Sequence, residues 1–216
     1  MADRLLFSKT GRARYISHLD LMRTFQRAFA RAKITIKHTE GYNPHPFVSI
    51  ALPLSVGQES VCEIMEFAVV DGTPLESIPA RLNEVFPDGL RAIDCYDSER
   101  KLKHLALLRV RVTLEYDNGA PDRLQIAELF MRDELIVEKK GKKGPTEVDI
   151  RPMIHQIAVR NCPDGLELEA VVAAQNPSLN PELLAVAIRK YLPDCAPDFV
   201  RVLRLDVLEA DGTTFR

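Results

Sequence analysis

Twice along its length the chain switches its hydrophobic period from two residues to between three and four and back, in the order strand, helix, strand, strand, helix, strand. An alternating strand has one apolar face and an amphipathic helix one apolar stripe. Each must bury that side against a neighbour, so the order predicts sheets with helices packed on one face. In the first half, Arg4 to Lys9 reads as a strand, followed by a Thr10-Gly11 turn and an extended piece, Ala13 to Ile16. Ser17 stands three residues before Asp20, the spacing of a capping box. It predicts a helix from His18 to about Ala32, with Leu19, Met22, Phe25, Phe29 and Ala32 as its apolar stripe. Strands over Phe47 to Leu52 and Val61 to Val70, a helix from Pro74 to about Phe86 and a strand from Leu90 to Tyr96 follow.

The second half reads the same way. Leu105 to Tyr116 is a strand and Asp122 to Arg132 a helix, and Glu134 to Lys139 and Glu147 to Arg160 flank a lysine-rich tip. Leu166 to Ala174 is a further strand. Asn180 caps a helix that has Pro181 at its first position and runs to Tyr191, and Val200 to Leu208 closes the half. This half has one strand more than the pattern requires. No sequence repeat joins the halves, so the duplication is one of element order. The expected fold class is α+β, with tandem ferredoxin-like (βαββαβ) halves over 1–100 and 101–216. The charged run Ser98 to Lys103 marks the boundary.

Composition sets the broad class. Hydrophobic residues make up 46% and charged residues 28%, a balance that supports a packed core and excludes disorder. No apolar run approaches the roughly 20 residues of a membrane span, and Asp3 and Arg4 interrupt the start of the chain, unlike a secretory leader. Cys62, Cys95, Cys162 and Cys195 form no CxxC pair and read as reduced, mostly buried thiols of a cytoplasmic protein. No cofactor is implied.

The net charge of −2 conceals an asymmetry: residues 1–50 carry a net +6 and the remainder −8. Arg23, Arg27 and Arg31 recur every fourth residue and lie along one side of the predicted helix, with Arg12 and Arg14 just upstream. Guanidinium groups bind phosphates through paired hydrogen bonds, so these five arginines are candidate contacts to a nucleic-acid backbone. In the loop Glu40 to Pro46, two prolines flank His45 and stiffen the presentation of Tyr42, Asn43 and His45; Tyr42 suits stacking on an unpaired base. Lys140, Lys142 and Lys143 at the second-half tip are candidate phosphate contacts. His18, next to the cap, is a weak candidate general base towards a ribose 2′-hydroxyl, with Arg14 or Arg23 placed to stabilise a phosphorane. His38, Glu40 and His45 share one loop and are weak metal-ligand candidates, at a spacing that fits no geometric motif. Phe25, Phe29 and Phe86 sit at core spacing.

Three segments in order, RLLFSKTGRARYISHLDLMRTFQRAFARA, EGYNPHPFVSIALPLSVG and CEIMEF, resemble the N-terminal core of the radical-SAM-linked proteins, a family found beside or fused to radical S-adenosylmethionine proteins. The resemblance implies a role next to a radical enzyme or in RNA metabolism and carries no catalytic residues. The three closely spaced cysteines that hold an iron–sulfur cluster in such enzymes do not occur here. Radical chemistry would therefore belong to a partner. The tandem architecture and basic first helix are also similar to the endoribonucleases that process CRISPR guide RNA. The expected function is a non-catalytic RNA-binding accessory protein, with tRNA or rRNA as possible classes, a radical SAM protein as possible partner and no membrane. The alternatives are a metal-independent ribonuclease or RNA-modifying enzyme built on His18, and a protein adaptor for a radical SAM enzyme.

Overall fold

Strand β1 (Ala2–Lys9) pairs antiparallel with two strands at once, β3 (Glu59–Phe67) and β4 (Leu90–Ser98). Only a central strand can do this, and its alternate residues Leu5 and Phe7 are fully buried. The computed structural model describes residues 2–141 and 144–216. It divides into two units, one ending at His104 and taking in Arg216, the other spanning Leu105–Phe215.

In the first unit a short strand β2 (Ser49–Ile50) adds to the far side of β3, so the pairing order is β4, β1, β3, β2. Helix α1 (His18–Arg31) and the shorter α2 (Ile78–Asn83) supply the apolar cover. Phe25 is the pivot of this core. Its ring meets Phe7 edge-on at 4.8 Å and Phe86 at 5.4 Å, and Phe29 packs on Phe67 at 4.9 Å. Such aromatic pairs are worth about 0.5–1.5 kcal/mol each beyond the area they bury. The three phenylalanines expected in the core are indeed packing residues.

Two expected strands differ. The piece expected over Phe47 to Leu52 pairs only at Ser49–Ile50, because Pro46 and Pro53 close to its ends supply no N–H to a ladder. Of the piece Ala13 to Ile16, expected to be extended, Ala13 to Tyr15 lie in a 3-10 turn spanning Gly11–Tyr15 and only Ile16 is extended. The second helix begins as a 3-10 turn, Leu75–Ser77, and ends at Asn83 rather than Phe86. There the Asn83 amide donates to the Ala92 carbonyl and accepts from the Ala92 N–H, fixing the helix end to β4.

In the second unit β5 (Leu107–Glu115), β8 (Ile154–Cys162), β9 (Gly165–Ala173) and β10 (Phe199–Leu208) form an antiparallel set in the order β10, β5, β9, β8. Helices α3 (Arg123–Leu129) and α4 (Glu182–Tyr191) bury Ile126, Leu129, Leu184 and Ile188. A separate ribbon of β6 (Ile136–Gly141) and β7 (Gly144–Asp149) is inserted after α3. The segment expected as one strand from Glu147 to Arg160 is thus two, broken at a 3-10 turn over Arg151–Met153. Pro152 cannot donate to a ladder, and the Asp149 carboxylate captures the Arg151 and Leu135 N–H groups.

On the side of β1 away from α1, Arg4 stands opposite Glu66 of β3. Arg4 is buried and forks onto Glu66 at 2.8 and 3.1 Å, onto Ser98 Oγ at 2.8 Å, and onto the Arg100 carbonyl. All four cysteines are free thiols; Cys62, Cys95 and Cys195 are buried and Cys162 is partly exposed. Among the described residues no helix is long and apolar enough to cross a membrane.

Candidate nucleic-acid interface

The site begins where β1 ends. Lys9 is 1% exposed, and its Nζ donates to the carbonyls of Arg14 at 3.2 Å and Ile16 at 3.0 Å. Both carbonyls reach one ammonium only if the intervening chain coils, which is why Gly11–Tyr15 becomes a 3-10 turn. Further bonds lock it. Gly11 N–H donates to Glu59 Oε1 at 2.6 Å, Gly57 N–H to the Arg14 carbonyl at 2.9 Å, and Thr10 N–H to the Gly89 carbonyl at 2.8 Å. Gly89, at φ +85°, permits this approach, since a Cβ there would lie 2.3 Å from the Thr10 oxygen. Burial pushes the Lys9 ammonium below its ordinary pKa, and the Glu63 carboxylate draws it partly back. Nothing in the local sequence flags Lys9 as the organiser; its spacing from the two carbonyls is the only signal.

Ser17 caps α1 as its spacing predicts. Its hydroxyl accepts from Asp20 N–H at 3.2 Å and donates to Asp20 Oδ2 at 2.7 Å. The Ser17 hydroxyl, followed by Arg23, holds the Asp20 carboxyl below the usual range. Arg23 meets Asp20 at 3.1 Å, an exposed pair that an incoming anion can displace at little cost.

Of the nine basic residues that make the first fifty positive, Arg4 and Lys9 are buried inside the unit. Arg14 lies 3.9 Å from Glu59 and stacks on Tyr15, Arg23 meets Asp20, and Lys37 meets Glu40 at 3.3 Å. That leaves Arg12, Arg27, Arg31 and Lys33, all exposed and without an ion pair or side-chain hydrogen bond among the described residues. The net +6 therefore overstates the available charge by about half. Arg27 and Arg31 project from the exposed side of α1, opposite Leu21, Phe25 and Ala28, which the helix buries.

The loop that follows is folded back as a small hairpin. His38 bridges Pro46, Thr39 N–H donates to the His45 carbonyl at 2.8 Å, and Gln26 Nε2 of α1 donates to the Pro46 carbonyl at 3.0 Å. The last bond ties the loop to the basic helix. Tyr42 and Asn43 are exposed at its tip, Tyr42 completely so. His45 is exposed, yet its Nδ1 lies 3.1 Å from the Asn43 carbonyl and 3.2 Å from Thr39 Oγ1, so its ring serves the loop first. His38, Glu40 and His45 do not converge: Glu40 is paired with Lys37, and among the described residues no three His, Cys, Asp or Glu side chains gather as a metal site.

His18 is exposed in the first turn of α1, and no hydrogen bond joins it to another side chain among the described residues. Arg14 and Arg23, the cations placed beside it on sequence grounds, are turned to Tyr15 and Asp20. Lys140 is in β6 of the second unit, its backbone opposite Pro145, while Lys142 and Lys143 lie outside the described residues. The structure thus assembles Arg12, Arg27, Arg31 and the Tyr42 loop in one unit and places Lys140 in the other. Sequence reasoning overlooked Lys33, at φ +56° just past the end of α1, and the polar side chain of Gln26.

No curated protein matches the chain. A crystal structure of an unknown protein from Galdieria sulphuraria aligns over 97% of this chain and 98% of that one, with 11% identity and a TM-score of 0.28. A family model described as "uncharacterized protein conserved in bacteria (DUF2344)" matches residues 4–181, from the first residues of β1 to the start of α4. The chain belongs to that family.

Proposed function

We propose that this protein binds RNA without transforming it, acting as an accessory to a radical SAM enzyme in RNA modification or processing. The observation that carries the reading is the pair of exposed, unpaired cations Arg27 and Arg31 on α1, a helix that the Gln26–Pro46 hydrogen bond ties to a loop with Tyr42 wholly exposed at its tip; Arg12 adds a further exposed cation in the turn before α1. Cations supply sequence-independent attraction to phosphates, and an exposed aromatic ring offers a stacking surface to an unpaired base. On the sheet of the second unit, Arg111, Arg160 and Arg201 are matched with Glu167, Glu169 and Glu115. The pairing order common to both units, with a fourth, first, third, second sequence of strands, supports reading each as a ferredoxin-like fold.

The test reverses Arg23, Arg27 and Arg31 to Glu and measures retention of cellular RNA in a low-salt filter assay. Three phosphate contacts to a single strand give the parent a slope of log K against log salt of about −2. The variant loses binding while its thermal unfolding is nearly unchanged, because all three side chains are exposed. Equal retention by variant and parent rejects the proposal. Co-purification with a radical SAM protein in the absence of nucleic acid favours the adaptor reading instead.

A further inference from the structure

Between the C-terminal half of α1 and the returning segment 33–38 lies an open groove of about 370 Å³. Its lining is largely apolar: Phe29, Ile34 and Ile36 are buried in the core of the first unit, and Ala30 and Pro46 keep accessible surface. Its rim is polar. Lys33 and the His38 ring are exposed and have no side-chain partner among the described residues. Gln26 uses its amide nitrogen on the Pro46 carbonyl, which leaves its amide oxygen as an acceptor.

No carboxylate lines the groove. Two stand close to it: Glu40 meets Lys37, and the ionised Asp71 accepts from the N–H of Thr35, a lining residue, at 2.6 Å and from Thr73 N–H at 3.0 Å. Lys33 occupies the residue after the α1 C-cap in a left-handed conformation, and its N–H bonds the Ala30 carbonyl while Ile34 N–H bonds that of Phe29. This Schellman closure favours glycine. A lysine there instead sets an ammonium at the groove's rim, on the helix that exposes Arg27 and Arg31. The volume falls at the low end of the roughly 300–1,000 Å³ of small-ligand sites. An apolar floor for a flat ring, donors and an acceptor for its edge, and cations for a phosphate describe one chemical class.

We infer that the groove receives one unpaired nucleotide of an RNA strand, the base against Ala30 and Pro46, its edge read by Gln26 and His38, and its phosphate held by Lys33. This rests on the RNA reading and sharpens it. A base enters such a groove only when it is free of its duplex partner, so the protein prefers single-stranded to paired RNA.

The full chain is titrated by fluorescence anisotropy with a single-stranded RNA of about 12 nucleotides and with the corresponding duplex. Single-strand binding is expected to be about tenfold tighter than duplex binding, the scale of one stacked base. Ala30→Trp fills the groove from its exposed edge, and His38→Ala removes an edge contact from an exposed position; both abolish the preference and leave duplex affinity and thermal unfolding unchanged. In a parallel NMR titration, adenosine 5′-monophosphate shifts the amides of Ala30, Lys33, Ile36 and His38. A parent without strand preference, or equal single-strand affinity in parent and both variants, overturns the groove while the RNA reading stands. Failure of the parent to bind either RNA, with the mononucleotide still shifting the groove amides, overturns the RNA reading and supports the groove. Failure of all three probes overturns both.

Discussion

Replacing Lys9 by Met tests whether a buried ammonium builds the basic end of the first unit. Methionine matches the length and volume of the lysine stem, so packing is nearly conserved and the charge and its bonds are what is lost. Two hydrogen bonds, at 3.2 and 3.0 Å, leave the Arg14 and Ile16 carbonyls without that donor, and Glu63, 2% exposed, loses its buried cation. Hydrogen bonds to charged groups contribute about 1.5–3 kcal/mol, and breaking a buried pair from one side costs about 3–5 kcal/mol. The hydrogen bonds reach carbonyls and the Coulombic attraction reaches Glu63, but all are lost with one ammonium and do not simply add, so the expected loss is about 3–5 kcal/mol, or roughly 10 °C for a chain of this size. Urea unfolding followed by circular dichroism measures it. Lys9→Met with Glu63→Gln recovers part of the loss, because the carboxylate that attracts the Lys9 charge is neutralised together with it. Lys9 also has a pH signature. Its folded pKa lies below the ordinary 10.5, so between the two values the unfolded chain holds a proton that the folded one has released, and stability gains with rising pH across that window. The variant lacks this gain relative to the parent. A loss under about 1 kcal/mol in Lys9→Met, or the same loss in single and double variants, refutes the reasoning.

Lys33→Gly relieves a left-handed lysine worth about 1–2 kcal/mol against an unfolded-state cost of about 0.4–1 kcal/mol. It therefore stabilises the chain by about 0.5–1 kcal/mol while weakening single-strand RNA binding; destabilisation on urea unfolding contradicts the assignment. Gly89→Ala forces a Cβ to 2.3 Å from the Thr10 oxygen at φ +85°, so it unfolds well below the parent in a thermal scan, whereas Gly72→Ala, where a Cβ meets nothing, costs much less. With Ellman's reagent at pH 8 only Cys162 reacts promptly, and Cys62, Cys95 and Cys195 wait for denaturant; prompt reaction of two or more thiols counts against their burial. Burial pushes the Cys95 thiol up from 9.0 to about 12. The stability gained by keeping it protonated is complete below pH 9 and is lost as pH rises from 9 to 12, and Cys95→Ala removes that component of the alkaline decline.

Much of the architecture is legible in local pattern. Ser17 and Asp20 cap α1 where their spacing places them, because a cap needs only residues three apart. The apolar recurrence of Phe25 and Phe29 identifies the buried side of α1, and the arginine recurrence its exposed side; Leu19, expected in the stripe, is exposed, and Leu21 is buried instead. The limits are equally specific. Segment 13–16 alternates as a strand should, yet coils because Lys9, Glu59 and Gly57 supply bonds that reward coiling. The stretch from 147 to 160 breaks because Pro152 withholds a donor and Asp149 captures two N–H groups.

Read as a string, the chain determines its helix and strand order, the apolar stripes and the four-residue recurrence of its arginines, all properties of near neighbours. Charge behaves differently. Whether Arg4, Arg14 or Arg27 is paired depends on Glu66, on Glu59, or on the lack of a carboxylate at ion-pair distance among the described residues, and such partners lie up to 62 positions away. Coulomb energy and hydrogen bonding depend on separation through space, and burial multiplies them, so folding alone decides which cations are consumed inside the unit and which stay exposed at its surface.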